Sequence, residues 1–361
     1  MDEGYDLRCL QTLFESCPKI REVTIASQMD IFRRLHANRT AFGEAMTRPY
    51  QDLDWWEAGV HQTLSVAVAA QQAGTKLDSL TLAHVSPTIF DPQSWEGEGT
   101  IEWPALETLV QPLRRLRMFI HVEPLEDKPG EADSRDPSIF SVRTQCELAF
   151  AEGHLYKIVS SASDLRVLKL GLPRWPAYDE QEAIYYYDDD ETPERFSRLE
   201  LVLRDMTFPK LYELSLSCCE VEGEYLIDLC LRHKSTLRRL HLQDISLCDP
   251  EDDWQDILTL LSKQLPQLRR IRLRGAFLVE NEPEIQFEYA ASESRRVAPY
   301  RDAMETFILE GGEFPTDDMR ILPDQADYPD ENYKRPGLPE DNTEPDDPML
   351  DYDSDEFDVR I

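Results

Sequence analysis

The stretch that decides the fold is LYELSLSCCEV, residues 211–221. Its apolar side chains follow the template L-x-x-L-x-L-x-x-N/C-x-L at every defined position, from Leu211 through Cys219 to Val221. One match is weak evidence, because alternating apolar residues are typical of any half-buried β-strand. The fold prediction therefore depends on whether the same frame recurs elsewhere in the chain.

The frame does recur. Further copies start at residues 77, 165, 237 and 268, and looser copies start at residues 20 and 113. The spacings between the last three frames are 26 and 31 residues, in or near the roughly 20–29 residues of a leucine-rich repeat. FSRLELVLRDM, residues 196–206, begins only 15 residues before the next frame. That is too close for a full coil, so its assignment as a strand stays open.

Amphipathic helical segments fill the gaps between frames. They include residues 58–74, 224–235 and 252–266, the last with Asp252 or Asp253 as the predicted N-cap. Strand, helix and return make one coil of an α/β leucine-rich-repeat solenoid, with a curved parallel sheet on the concave side and helices on the convex side. A Rossmann-like sheet is the competing α/β interpretation, but no Gly-rich phosphate-binding turn follows any strand.

The chain divides into three predicted parts. Residues 1–280 form the solenoid, with irregular insertions at about 123–137 and 173–195. Residues 281–314 form a C-terminal cap with a closing helix at 301–312, whose Met304, Phe307 and Ile308 point inward. Residues 315–361 are rich in Pro and Asp and are predicted to be a disordered acidic tail.

Charge and composition exclude several classes of partner. The net charge of −33 over 361 residues disfavours binding to nucleic acids and anionic membranes. No apolar run is long enough to span a bilayer, and the start of the sequence lacks the basic and apolar regions of a secretory signal. Together with seven irregularly spaced cysteines, which fit reduced thiols, this predicts a cytoplasmic or nuclear protein.

No motif predicts catalysis, a cofactor or a metal site. Nucleophile-elbow, zincin, P-loop and kinase signatures are missing from the sequence. Cys230-x-x-His233 has ligand-like spacing, but Cys230 falls on the apolar face of its helix and Cys219 occupies a repeat position that favours Cys. A non-catalytic protein without cofactor or metal is therefore expected.

The predicted binding surface is the concave face, because residues that alternate with the repeat leucines point out of the sheet there. Arg239, Arg270, Arg272 and Arg274 should form a basic patch on an otherwise acidic protein. The full set of candidate partner-binding residues comprises Lys169, Arg239, His241, Gln243, Arg270, Arg272 and Arg274 on this face, and Tyr185, Tyr186 and Tyr187 in the second insertion. Arginine suits carboxylates and phosphates, so acidic or phosphorylated protein segments are the expected ligands. The alternatives are that these arginines are merely solvated, or that the acidic tail competes for them.

Three segments also resemble a known family. FPKLYELSLSCCEVEGEYLIDLCLRHKSTLRRLHLQDISL (208–247), LPQLRRIRLRGAF (265–277) and YRDAMETFILEGG (300–312) are similar to the last repeats and closing helix of fungal F-box/leucine-rich-repeat proteins. The resemblance implies a substrate receptor of a cullin-type ubiquitin ligase, whose repeats hold the target. Binding to a Skp-type adaptor is implied only if an F-box lies upstream, because this sequence contains no LPxE-type F-box opening. The alternatives are a stand-alone leucine-rich-repeat binding or inhibitory module, and an acidic factor that binds basic proteins.

Overall fold

The structure is a computed structural model that describes residues 5–25, 55–90, 102–120, 146–173, 197–279, 282–287 and 297–315. Four sequence predictions fall on other parts of the chain: the insertion at 123–137, nearly all of the insertion at 173–195, Tyr185 to Tyr187 within it, and the tail from residue 316.

Strands and helices alternate through the described residues. The strands are β1 (Glu22–Ile25), β2 (Ser79–Val85), β3 (Arg115–Ile120), β4 (Val167–Gly171), β5 (Ser197–Arg198), β6 (Glu213–Val221), β7 (Arg239–Leu247), β8 (Arg270–Val279) and β9 (Glu282–Phe287). The labelled helices are α1 (Tyr5–Ser16), α2 (Trp55–Gln72), α3 (Glu102–Val110), α4 (His154–Ser161), α5 (Leu199–Leu203), α6 (Gly223–Arg232), α7 (Trp254–Gln264) and α8 (Val297–Glu310).

These strands form one open sheet whose order follows the chain, β1-β2-β3-β4-β6-β7-β8-β9, with the short β5 pairing β6. Every described pairing is parallel except β8 with β9. A parallel sheet that grows steadily in one direction by right-handed crossovers carries its helices on one side. The α/β prediction is thus confirmed, and the open parallel sheet is compatible with a solenoid of stacked coils.

The repeat frames explain the strand register. The fourth template position forms a continuous ladder across the sheet, through Val23, Leu80, Leu116, Leu168, Leu214, Leu240 and Ile271. Two residues further along each strand, a second ladder runs through Ile25, Leu82, Met118, Leu170, Leu216, Leu242 and Leu273. Both ladders belong to a single apolar core shared with the helices, and Val23 is their only partly buried member. We call this the helix-covered side of the sheet, and its opposite the open face.

The coils also repeat a backbone hydrogen bond where the strands begin. The N–H groups of Arg166, Tyr212, Arg238 and Arg269 each donate to the carbonyl oxygen of the corresponding residue one strand earlier, at 2.8–2.9 Å. This repetition fixes neighbouring strands in the same register, because a slip by one residue would turn the leucines onto the opposite face.

Beyond the two ladders, the last three coils share a backbone bend with positive φ. Cys218, Asp244 and Gly275 have φ values of 55°, 50° and 69°, and they follow one another across β6, β7 and β8. The Asp244 carboxylate accepts a hydrogen bond from the Ala276 N–H at 2.9 Å. A Cβ at residue 275 would overlap that carboxylate. Glycine is therefore required there both by the positive φ and by the close approach of Asp244.

Carboxylates cap the helices, and at α6 they come from neighbouring coils. Asp253 is the N-cap of α7 and accepts from the Gln255 N–H, as the sequence predicted. At the start of α6, the Glu222 N–H donates to Glu200 at 2.6 Å and the Gly223 N–H donates to Asp252 at 2.8 Å. The helix termini therefore tie successive coils together.

The predicted closing helix is present as α8, with Met304, Phe307 and Ile308 buried. Glu305 of this helix accepts a hydrogen bond from the Leu273 N–H of β8 at 3.2 Å. The antiparallel strand β9 was not predicted, and it pairs with Gly275 to Val279 of β8. Helix and strand together cover the last parallel strand, whose edge would otherwise present unpaired backbone groups.

Residues 196–206 do not add a strand to the ladder. β4 pairs directly with β6, and the segment provides only the two-residue β5 followed by helix α5. Leu199, Val202 and Leu203 are buried at helical spacing.

Among the described helices, none is long and apolar enough to cross a lipid bilayer.

Candidate protein-binding face

The open face is lined by three rows of side chains, set by the strand register. From β3 to β8, the first row contains Arg115, Val167, Glu213, Arg239 and Arg270. The second row contains Arg117, Lys169, Ser215, His241 and Arg272, and the third contains Phe119, Gly171, Ser217, Gln243 and Arg274. All seven predicted residues of this face therefore lie on the same surface, while Tyr185, Tyr186 and Tyr187 lie outside the described residues.

Basic side chains dominate these rows. Seven positions carry Arg or Lys, whereas Glu213 is the one carboxylate among the fifteen. Neighbouring strands lie about 4.8 Å apart, and alternate residues of one strand lie about 7 Å apart. Arg239, Arg270, Arg272 and Arg274, which we call the arginine cluster, are therefore near neighbours, and each is partly exposed.

Glu213 neutralises the centre of the face. Its carboxylate lies 3.1 Å from Lys169 Nζ and 3.7 Å from Arg239 Nη1. The Glu213 and Lys169 side chains are only 7% and 11% exposed, so this ion pair is largely removed from water. Burial lowers the pKa of Lys169, although the Glu213 carboxylate opposes that shift. Lys169 is on the predicted face, but its charge is already matched within the protein.

His241 lies in the second row between Ser215 and Arg272. Burial first, and then the positive charges of Lys169, Arg272, Arg274 and Arg239, lower its pKa to about 3. His241 is therefore neutral at physiological pH. Its Nε2 atom is buried and has no hydrogen-bond partner within the described part of the chain. Four cations acting on one imidazole show that positive charge converges on this part of the open face.

The third row is shaped by a close contact. A Cβ at Gly171 would meet the Phe119 ring at 2.8 Å and Ser217 Oγ at 2.9 Å. The missing side chain thus gives Phe119 room on the face. On β7, the Gln243 side chain donates to Asp244 at 3.3 Å, so the amide is held by the backbone bend described above.

The opposite end of the sheet is less basic. In β1 and β2 the same rows hold Glu22 and Ser79, then Thr24 and Thr81. Glu22 lies 3.6 Å from Arg115 Nη2, which gives that arginine an acidic neighbour. The basic side chains of these rows therefore lie from β3 onward, and β8, with three arginines, is the most basic strand of the face.

The cysteine- and histidine-rich region belongs to the core. His233 accepts a hydrogen bond at Nε2 from the Phe208 N–H at 2.9 Å, so its Nδ1 carries the proton and donates to the Leu229 carbonyl at 2.8 Å. Both nitrogens are used, and burial lowers the pKa of His233. Burial also raises the pKa of the Cys230 thiol to about 12. Within the described ranges, no group of three His, Cys, Asp or Glu residues could hold a metal ion, and none of the seven cysteines forms a disulfide.

The chain matches no protein-family model and no curated protein. The resemblance to F-box/leucine-rich-repeat proteins therefore stays a prediction, and the function is argued from the geometry of the face.

Sequence reasoning placed the basic residues correctly but did not select Glu213 as a site residue. Aligning the frames puts Glu213 between Val167 and Arg239 in the first row, diagonal to Lys169. That arrangement is visible in the sequence once the register is known. The burial of Glu213 is not visible in the sequence, because it depends on the side chains packed around this residue.

Proposed function

We propose that this protein is a leucine-rich-repeat solenoid that binds protein targets on its open face and performs no catalysis. In such a solenoid the open face is the concave side. Two uninterrupted apolar ladders and sequential parallel pairing support this architecture. The observation that supports the function is the arginine cluster, a concentration of positive charge on a protein of net charge −33.

The proposed ligands are acidic or phosphorylated segments of target proteins. Guanidinium groups can form paired hydrogen bonds with carboxylates and phosphates, and this geometry adds specificity to charge attraction. The strand spacing presents neighbouring arginines at distances that an extended acidic segment can bridge. Lys169 is only 11% exposed in its ion pair with Glu213, so the partly exposed arginines of β7 and β8 carry most of the proposed binding.

The resemblance to F-box/leucine-rich-repeat proteins gives this binding a biological setting. We propose that the repeats correspond to the target-recognition part of a cullin-type ubiquitin ligase receptor. The runner-up is a stand-alone binding or inhibitory module without ligase recruitment. A pull-down of the protein expressed from its own genomic locus with a Skp-type adaptor separates them: retention of the adaptor supports the receptor, and no retention supports the stand-alone module.

Proximity labelling in cells tests target binding by the open face. An open-face variant replaces three β8 arginines (Arg270→Gln, Arg272→Gln, Arg274→Gln). A matched control replaces three exposed arginines that directly precede strands (Arg166→Gln, Arg238→Gln, Arg269→Gln). Both variants remove three positive charges, so a difference between them reports position rather than net charge.

The proposal predicts that a specific set of labelled proteins is lost from the open-face variant and kept by the control. If both variants label the same proteins as the wild type, the open face is not the binding surface. In that case basic proteins among the labelled set would favour the remaining alternative, an acidic factor that binds basic partners through its negative surface.

A further inference from the structure

The chain contains a segment whose charge complements the arginine cluster. Residues 340–358 include ten Asp or Glu residues and no Lys or Arg. Within the described residues, the basic rows of the open face are the complementary surface for such a segment. Opposite charge at high density favours association of the two, most strongly at low ionic strength.

The C-terminal helix brings this segment to the correct end of the sheet. Glu305 of α8 accepts a hydrogen bond from Leu273 of β8, the strand that carries Arg270, Arg272 and Arg274. Phe307 and Ile308 of the same helix are buried in the common core. The described chain ends at Pro315, five residues after α8. The acidic segment is therefore tethered at the edge next to the arginine cluster, rather than at the β1 end.

The connecting segment is long enough for the contact. About 25 residues separate Pro315 from Glu340. A flexible linker of this length has a root-mean-square span of about 27 Å, and a fully extended one reaches about 85 Å. Even the root-mean-square span of about 27 Å exceeds the thickness of the helix layer, roughly 10 Å, that the segment must pass to reach the open face. Tethering at such lengths corresponds to an effective concentration on the order of 1 mM.

We propose that residues 340–358 bind the arginine cluster of their own chain, so that a target must displace this segment to reach the open face. The inference rests on the proposed function, since it identifies an intramolecular competitor for the same surface. The contact is electrostatic, with carboxylates of the segment paired to guanidinium groups of β7 and β8. Burial first, and then the charges of Lys169, Arg272, Arg274 and Arg239, lower the pKa of His241, in agreement with the cations that the strand register places around it.

The test uses full-length protein and a fluorescent synthetic peptide with the sequence of residues 340–358. Peptide binding is measured by fluorescence anisotropy at about 50 mM and 500 mM salt. A tail variant neutralises five carboxylates of the segment (Asp351→Asn, Asp353→Asn, Asp355→Asn, Glu356→Gln, Asp358→Asn). A control variant neutralises five exposed carboxylates elsewhere (Glu152→Gln, Glu224→Gln, Glu251→Gln, Asp256→Asn, Glu313→Gln).

At low salt, the tail variant should bind the added peptide about fivefold more tightly than the wild type, because its own segment competes less well. The control variant should stay within twofold of the wild type, which excludes a general loss of repulsion. At 500 mM salt, binding to every form should fall by at least tenfold. Combining the tail substitutions with those of the open-face variant should abolish the gain.

Equal affinity of the wild type, tail variant and control variant would overturn the intramolecular contact while leaving the basic face as a binding site. Equal gains in the tail and control variants would also overturn it, because net charge alone would explain them. If the tail variant binds the peptide with the same affinity whether or not the β8 arginines are present, both the contact and the proposed binding surface fail. Circular dichroism melting curves for each variant establish that the compared proteins are folded.

Discussion

The two sides of the β-sheet carry different kinds of side chain. On the helix-covered side, the ladder residues of β2 to β8 are almost fully buried, and each lies in register with an apolar residue on the neighbouring strand. On the open face, the alternating positions are mostly partly exposed and hold Arg, Ser, Gln and His. Each strand thus contributes regularly spaced apolar side chains to the core, and side chains of differing chemistry to the open face.

We therefore expect stability and the proposed binding to be separable in this molecule, except at buried positions of the open face. Glu213 and Gly275 belong to the open face and its edge, yet both are buried. Substitutions at the leucine ladders should unfold the protein, and substitutions in the arginine cluster should leave it folded. Glu213 and Gly275 should behave like core residues despite their position.

The largest loss of stability is expected for Leu242→Ala. Leu242 is 1% exposed and lies in the second ladder between Leu216 and Leu273. Truncation removes buried apolar area and leaves a cavity that strands on both sides prevent from closing. The free energy of unfolding should fall by about 3–5 kcal/mol, measured by urea denaturation. Arg272→Gln on the adjacent strand is the comparison, with an expected change of less than about 0.5 kcal/mol. Similar losses for both variants would contradict the separation of the two sides.

Glu213→Gln should also destabilise the protein strongly, by about 3 kcal/mol. The substitution leaves the Lys169 ammonium largely buried beside a neutral amide, at a site where the carboxylate now lies 3.1 Å away. Removing both charges, in Glu213→Gln with Lys169→Met, should restore most of the loss because no uncompensated charge remains. Urea denaturation of the single and double variants measures the coupling. A loss below about 0.5 kcal/mol in the single variant would show that water solvates the ammonium.

Much of the fold could be predicted from sequence, because the L-x-x-L-x-L frame fixes both the strand position and its register. Frames that start at 20, 77, 113, 165, 211, 237 and 268 all became neighbouring strands in that order. Residues 199–203 remained ambiguous because LELVL fits both a short strand and one turn and a half of helix. Contacts made by Glu200 with α6 favour the helix, and such contacts are not encoded in local periodicity.

The candidate site was predictable only in part. Alternation placed the basic residues on one face, since the two-residue period of a strand is strict. It could not show that Glu213 neutralises Lys169, because that depends on a distance between adjacent strands. Strand β9 was missed for a related reason: its antiparallel pairing with β8 lies outside the repeated frame. Periodicity therefore predicts where side chains point, and tertiary contacts decide which charges remain available.

Gly275→Ala should reduce the free energy of unfolding by about 2–3 kcal/mol. The residue has a φ of 69°, and an added Cβ would overlap the Asp244 carboxylate that accepts from Ala276. Gly311→Ala is a matched control, because its φ is 78° but no atom lies within 4 Å of the added Cβ. The control isolates the backbone cost of positive φ, about 1 kcal/mol. Thermal or urea unfolding of both variants gives the difference, and equal losses would show that the Asp244 contact relaxes without penalty.

The smallest loss of stability is expected from the titration of His241, and it appears only at acidic pH. Its pKa is about 3 in the folded protein, against about 6.5 in an unfolded chain. Between these values the unfolded state binds more protons, so stability falls as pH decreases through this window. Relative to His241→Gln, the wild type should lose about 2 kcal/mol between pH 7.5 and pH 5. Parallel stability curves for the two proteins would contradict the burial of a neutral imidazole.

In the open-face variant the pKa of His241 should rise, because two of the cations that lower it, Arg272 and Arg274, are gone. The shift should be partial, since burial is the larger cause, and NMR titration of the imidazole measures it.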